Sequence, residues 1–105
     1  MYDKEYVAQC RQVRFERVAV DSLVCGGPAL IYSLTIHSDG VAEADAIVYD
    51  GPGAGAKLLL NLYCVDEAMA QLVFPQPVYV DQGIYIDIGT NCQAVTIQYM
   101  PVLGM

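Results

Sequence analysis

The sequence predicts an all-β domain of about eight short antiparallel strands, a sandwich or a barrel. Three observations predict it. Apolar residues recur with a period of two, the mark of half-buried strands. Turn signals interrupt the apolar runs at short intervals. The runs are rich in valine and isoleucine, and the chain holds eight tyrosines, residues that suit a pleated surface.

The first predicted strand covers 12–24. Val13 and Phe15 have one parity there and Val18 and Val20 the other, so it needs a bulge near Glu16–Arg17 or a break into two strands. Gly26-Gly27-Pro28 ends it. In the second strand, 29–37, Leu34 and Ile36 alternate with Thr35 and His37, and Ser38-Asp39-Gly40 is the turn. Strands follow at 43–50 and 57–65. In the latter, Leu58, Leu60, Leu62 and Cys64 alternate with Leu59, Asn61, Tyr63 and Val65. Pro75-Gln76-Pro77 separates two short strands, 70–74 and 77–80. Asp81-Gln82-Gly83 then leads to 84–88, where Ile84, Ile86 and Ile88 oppose Tyr85 and Asp87. Beyond Gly89-Thr90-Asn91, the strand 93–100 alternates Val95, Ile97 and Tyr99 with Thr96 and Gln98.

One segment competes for another fold. In Lys57–Phe74, Leu58, Leu62, Val65 and Met69 form a helical stripe, and "DEAMAQL" contains good helix formers. With the loop before it, the segment reads as strand, phosphate loop and helix. The loop Gly51–Lys57 fails that reading: Ala56 replaces the glycine before the lysine, and Leu58 replaces the hydroxyl residue that would hold magnesium. The dinucleotide pattern is met loosely by Gly51, Gly53 and Ala56, yet no acidic residue stands near Val73 to take a ribose. The flanking strands also leave no room for βαβ crossovers. The stretch is therefore expected to be a hairpin with a six-residue loop, Gly51–Ala56, in which Asp50 and Gly51 supply the turn's unusual dihedrals.

A chain of 105 residues implies one domain. Residues 1–11 are read as an N-terminal arm and 12–105 as the domain. Composition is 55% apolar and only 16% charged, below the usual quarter or so. A subunit interface is the simplest home for the apolar surplus, so an oligomer is expected. Net charge is −7, distributed unevenly: residues 1–17 sum to +1 and the rest to −8. An acidic body repels phosphate backbones and anionic membranes, which argues against nucleic acid and membrane as partners. The first residues contain no apolar run resembling a signal peptide, which points to synthesis in the cytoplasm.

The four cysteines, Cys10, Cys25, Cys64 and Cys92, lie far apart without a CxxC pair, so free thiols are expected rather than a metal or redox site. His37 is the single histidine and sits on the polar side of its strand. No nucleophile–base set is legible, and no cofactor, metal or catalytic residue is assigned. Glu43, Asp45 and Asp50 lie in or beside one strand, but "DGVAEAD" is not a calcium loop. The basic residues and tyrosines of the leading segment are the candidate protein interface: Tyr2, Tyr6, Arg11, Arg14 and Arg17.

The ordered series "GGPALIYSLTI", "AIVYDGPGAGAKLLLNL" and "FPQPVYVDQGIYIDIGTNCQAVTIQYMP" resembles a group of small phage virion proteins. In that group a strand ending in Tyr-Asp-Gly leads through a small-residue loop to a leucine-rich strand. A Pro-rich step, a "GIY" strand and a "VTIQY"-type strand follow. The resemblance spans residues 24–102 and rests on turns and strands. It implies an antiparallel β-sandwich, jelly-roll-like, in a non-enzymatic structural protein. The implied role is a capsid decoration (cement) protein, a homotrimer on the capsid surface whose partner is the major capsid protein or another virion protein. The alternative is a tail, neck or fibre module that binds a receptor or glycan.

Overall fold

The structure is a computed structural model that describes residues 13–40, 42–65 and 68–102. It contains eight strands: β1 (Arg14–Val18), β2 (Ser22–Cys25), β3 (Ala29–Ser38), β4 (Ala44–Asp50), β5 (Lys57–Cys64), β6 (Met69–Val80), β7 (Ile84–Ile88) and β8 (Cys92–Pro101). They form two four-stranded antiparallel sheets, ordered β1-β8-β3-β6 and β2-β7-β4-β5. The pairing is nested. β4 pairs with β5, β3 with β6, β2 with β7 and β1 with β8, as though one long hairpin had been folded over. The pairs β3–β8 and β4–β7 complete the two sheets.

Period-two patterning places the core. From the first sheet, Ile31, Leu34 and Ile36 of β3 and Val95 and Ile97 of β8 are buried. From the second come Val48 of β4, Leu62 of β5 and Ile84 and Ile86 of β7. These residues belong to one hydrophobic cluster, so the two sheets share a single core. Each such side chain contributes about 1.5–3 kcal/mol when buried. The intervening Thr35, His37, Tyr85, Asp87, Thr96 and Gln98 are only partly buried, as alternation requires.

The expected hairpin is present. Asp50 opposes Lys57 across the Gly51–Ala56 loop, and the Ala56 amide donates to the Gly53 carbonyl at 3.0 Å. Gly51 is buried at φ 154°, where a Cβ would strike that of Ala56. The alternation expected along β5 holds only for Leu60, Leu62 and Cys64. A register shift between Val48 and Tyr49 leaves Leu59 unopposed and turns Leu58 outward, 52% exposed.

The strand placed at 12–24 breaks in two, one of the two alternatives its parity allowed: β1 and β2 belong to different sheets, with Ala19–Asp21 as the step between them. One expected boundary is corrected. The strands placed at 70–74 and 77–80 are one, β6. Its register against β3 jumps from Ser33↔Val73 to Ile31↔Val78, so the proline-containing stretch bulges past Tyr32. A central strand would not tolerate Pro75 and Pro77, but β6 is an edge, where the missing donors cost no ladder bond.

Candidate interaction surface

Among the described residues four strands are sheet edges: β1 and β6 of the first sheet, β2 and β5 of the second. All ten large hydrophobic residues exposed among the described residues lie on these strands or in the connections between them. Phe15, Val20 and Leu23 lie on the β1–β2 side. The other seven, Leu58, Tyr63, Val65, Met69, Leu72, Val73 and Tyr79, lie on β5, β6 or directly after β5. The β5 and β6 edges face one another across a groove of about 300 Å³. Its walls include Asn61, Tyr63, Gln71 and Leu72, and it reaches the core residues Ile36 and Leu62.

The groove borders an uncharged face. β8, β3 and β6 are adjacent in the first sheet and contain no Asp, Glu, Lys or Arg. Their outward positions, set by pairing with one another, carry Ser33, Thr35, Gln71, Val73, Thr96 and Gln98. The Ser33 hydroxyl donates to Gln98 Oε1 at 3.1 Å. Depletion of charge with apolar residues at hand is the compositional mark of an interface core.

Acidic residues lie in or beside the strands of the other sheet, and three of them serve the backbone. Asp45 Oδ1 accepts the Thr90 amide at 2.7 Å, and Asp21 Oδ1 accepts that of Ile88 at 2.8 Å. The Asp50 carboxylate accepts the amides of Asp81 and Gln82 at 3.3 and 2.9 Å, tying the β6–β7 turn to the β4–β5 hairpin. These roles account for Asp45 and Asp50 as loop clasps. Among the described residues no group of three His, Cys, Asp or Glu is placed to hold a metal.

Two titrating groups mark the outward face of this sheet. The Tyr63 phenol bonds the Glu43 carboxylate, and that bond, with partial desolvation, raises its pKa above the usual tyrosine value. Asp87 is held above the ordinary carboxylate range by partial desolvation, then by the charge of Asp21 and a hydrogen bond with it, then by Asp45. The folded protein therefore binds a proton at Asp87 more readily than the unfolded chain does. Stability from this group is present at low pH and is lost as pH rises from the unfolded carboxylate value through the raised one. Asp87→Asn is expected to raise Tm by about 2 °C at pH 7, the scale of a surface-charge change. The gain should vanish near pH 3, where both side chains are neutral, which paired melts at the two pH values would check.

Of the residues expected to form an interface, Tyr2, Tyr6 and Arg11 lie outside the described residues. Arg14 and Arg17 are exposed on β1, at the edge opposite β6. They do not share a face. Arg14 opposes the core residue Tyr99 and hydrogen-bonds it, whereas Arg17 opposes Thr96. Burial, followed by Glu16, pushes the Tyr99 hydroxyl above its usual range, with Arg14 opposing the shift. Cys25, Cys64 and Cys92 are free thiols as expected, while Cys10 is outside the described residues. Burial raises the Cys92 thiol, which favours its unreactive protonated form.

The β5–β6 groove was not read from the sequence. No local pattern marks it: the two-parity run Leu58-Leu59-Leu60 lies outside the groove walls and is accounted for by the register shift at Leu59. Among the described residues, β5 has a neighbour on one edge only. Comparison with known proteins yields no similarity: no family model, no curated protein and no solved structure matches the chain.

Proposed function

We propose that this chain is a non-enzymatic structural subunit that acts by assembly, of the capsid-decoration type that its sequence resembles. The observation that carries the reading is the β5–β6 side, where seven of the ten large hydrophobics exposed among the described residues lie on or directly after two sheet edges that flank a groove, Tyr63 and Leu72 lining it. Such surface is costly in water and is relieved by protein contact. The adjoining uncharged sheet offers a broad second surface for a lattice or virion partner. The nested strand order supports the finer reading of the fold as a jelly-roll sandwich, because each strand pairs with its counterpart along one folded-over hairpin. In this reading the leading segment, with Tyr2, Tyr6 and Arg11, docks on the capsid, and copies associate through the sheet edges.

The test has two parts. Light scattering on the full chain should give a multiple of the 11.4 kDa monomer mass. Deleting residues 2–10 should abolish binding to capsids while leaving the circular dichroism spectrum unchanged. A monomer at every concentration, with undiminished capsid binding after the deletion, would remove both the assembly and the arm from the proposal.

A second reading is favoured by one observation. Tyr49 and Tyr85 stand side by side on the outward face of the second sheet, ring centroids 6.3 Å apart, between exposed Leu23 and Leu58. Exposed tyrosine rings combine an apolar face with a polar tip, the surface that a glycan-binding tail or fibre module would use. A glycan array without hits would dismiss it.

A further inference from the structure

We infer that the outward face of the second sheet binds an arginine-bearing segment of a partner protein, with the guanidinium over the Tyr49–Tyr85 pair and against the Asp87 carboxylate. This face lies apart from the β5–β6 groove, and the inference goes beyond the assembly reading, which does not depend on it.

Register builds the face row by row. Leu23 of β2 opposes Tyr85 of β7, Tyr85 opposes Tyr49 of β4, and Tyr49 opposes Leu58 of β5. The four residues make one line across all four strands, with exposed leucines at its ends. The two tyrosine rings between them have centroids 6.3 Å apart and planes tilted by 55°. Two positions further along β7 and β4, Asp87 opposes Ile47 on the same face. Successive outward positions on a strand are about 7 Å apart, so the Asp87 carboxylate stands one step from the Tyr85 ring. Asp21 reaches Asp87 from the step between β1 and β2, and Asp45 is the next outward residue of β4 after Ile47.

Charge selects the occupant. Lys57 is the only basic residue of these four strands. It adjoins Leu58 and opposes Asp50, so alternation turns it away from this face. Desolvation, then the charge of Asp21 and a hydrogen bond with it, then the charge of Asp45 all oppose the ionisation of Asp87. A cation set beside Asp87 offsets the like-charge repulsion, and an acidic partner would add to it. Arginine fits both halves of the face. Its planar guanidinium stacks on aromatic rings and forms paired hydrogen bonds to a carboxylate. Lysine brings a point charge without a plane. A neutral sugar would cover the tyrosines and leave the carboxylates without a counter-charge. The arginines among the described residues, Arg14 and Arg17, sit on β1 of the other sheet, so the bound arginine comes from a partner.

The experiment titrates the full chain with a blocked peptide alternating arginine and glycine, and with its lysine counterpart, while NMR follows the backbone amides. Tyr85→Leu and Asp87→Asn are the variants, and thermal melts establish that each is folded. The arginine peptide is expected to shift the amides of Ile47, Tyr49, Tyr85 and Asp87. It should bind about threefold or more tightly than the lysine peptide, the scale of an exposed cation–π contact. Each variant should weaken it by a similar factor, and Tyr85→Leu should also erase the preference over lysine. Equal affinity for the two peptides would reveal bare attraction to an acidic protein and would overturn the proposal. So would variants that bind like the wild type, shifts confined to other strands, or no binding by the full chain. Binding that appears only after deletion of residues 2–12 would assign the face to the chain's own leading segment and overturn the external partner. Light scattering reads the oligomeric state separately, so the assembly reading stands or falls without this result.

Discussion

Ile97→Ala is expected to lower the melting temperature by more than ten degrees. Ile97 is fully buried on β8, between Glu16 on β1 and Leu34 on β3, and its side chain belongs to the cluster shared by both sheets. Truncation removes the transfer free energy of three carbons and leaves a cavity that β8, held by ladders to β1 and β3, cannot close. Such substitutions cost about 2–5 kcal/mol. A domain of this size has about 5–15 kcal/mol in total, and each kcal/mol moves Tm by roughly 4–8 °C. Differential scanning calorimetry would read the change directly. A loss below about 1 kcal/mol would mean that Ile97 is not in a close-packed core.

The second large effect is expected from Gly83→Ala, in the turn before β7. Gly83 is buried at φ 145°, and a Cβ there would lie 2.6 Å from the Cys25 carbonyl oxygen and 3.4 Å from that of Gly51. Both obstacles are backbone, so no side-chain rotation relieves them. The φ value itself is one that residues with a Cβ rarely adopt. Together the strain and the clash should cost about 2–3 kcal/mol or more. The damage should concentrate where three turns meet: the end of β2, the β4–β5 loop and the β6–β7 turn, which the Asp50 carboxylate joins. Amide exchange should therefore accelerate at Asp81 and Gln82 before it does in β3 or β8. Gly27→Ala is the control: a Cβ there meets nothing within 4 Å, and its Tm should stay close to wild type. Equal losses at the two glycines would show that the contact, and not merely the residue type, has been misread.

The candidate surface was legible only in its ingredients. Low charge and high apolar content announced a surplus that one core of this size does not absorb. The residues chosen for the interface, however, were the basic and aromatic ones of the first segment, because charge asymmetry is visible along a chain and edge position is not. Arg14 and Arg17 fall on opposite faces of β1 because they are three positions apart on a strand of period two. Asp45 and Asp50 look like a shared acidic face in sequence. In the structure each is spent on the amides of a turn some thirty to forty-five residues away.

The sequence by itself determined the strands and their inward faces. Alternation is a local property, and Ile84–Ile88 or Val95–Tyr99 declares its buried side without reference to any other residue. It also determined the β4–β5 hairpin, since Asp50, Gly51 and Pro52 fix the turn and the failed phosphate motif removes the competitor. Only the tertiary structure decided which strands are neighbours, and therefore which are edges. Pairing of β1 with β8 and of β3 with β6 joins residues far apart in the chain, and no local pattern encodes it. That decision carried three others. It allowed β6 to run through two prolines, it divided β1 from β2 between the sheets, and, among the described residues, it left β5 paired on one side only. The physical reason is the same in each case: a backbone amide or an apolar side chain is satisfied or exposed according to what lies 4.8 Å or so across the sheet, not according to what adjoins it in sequence.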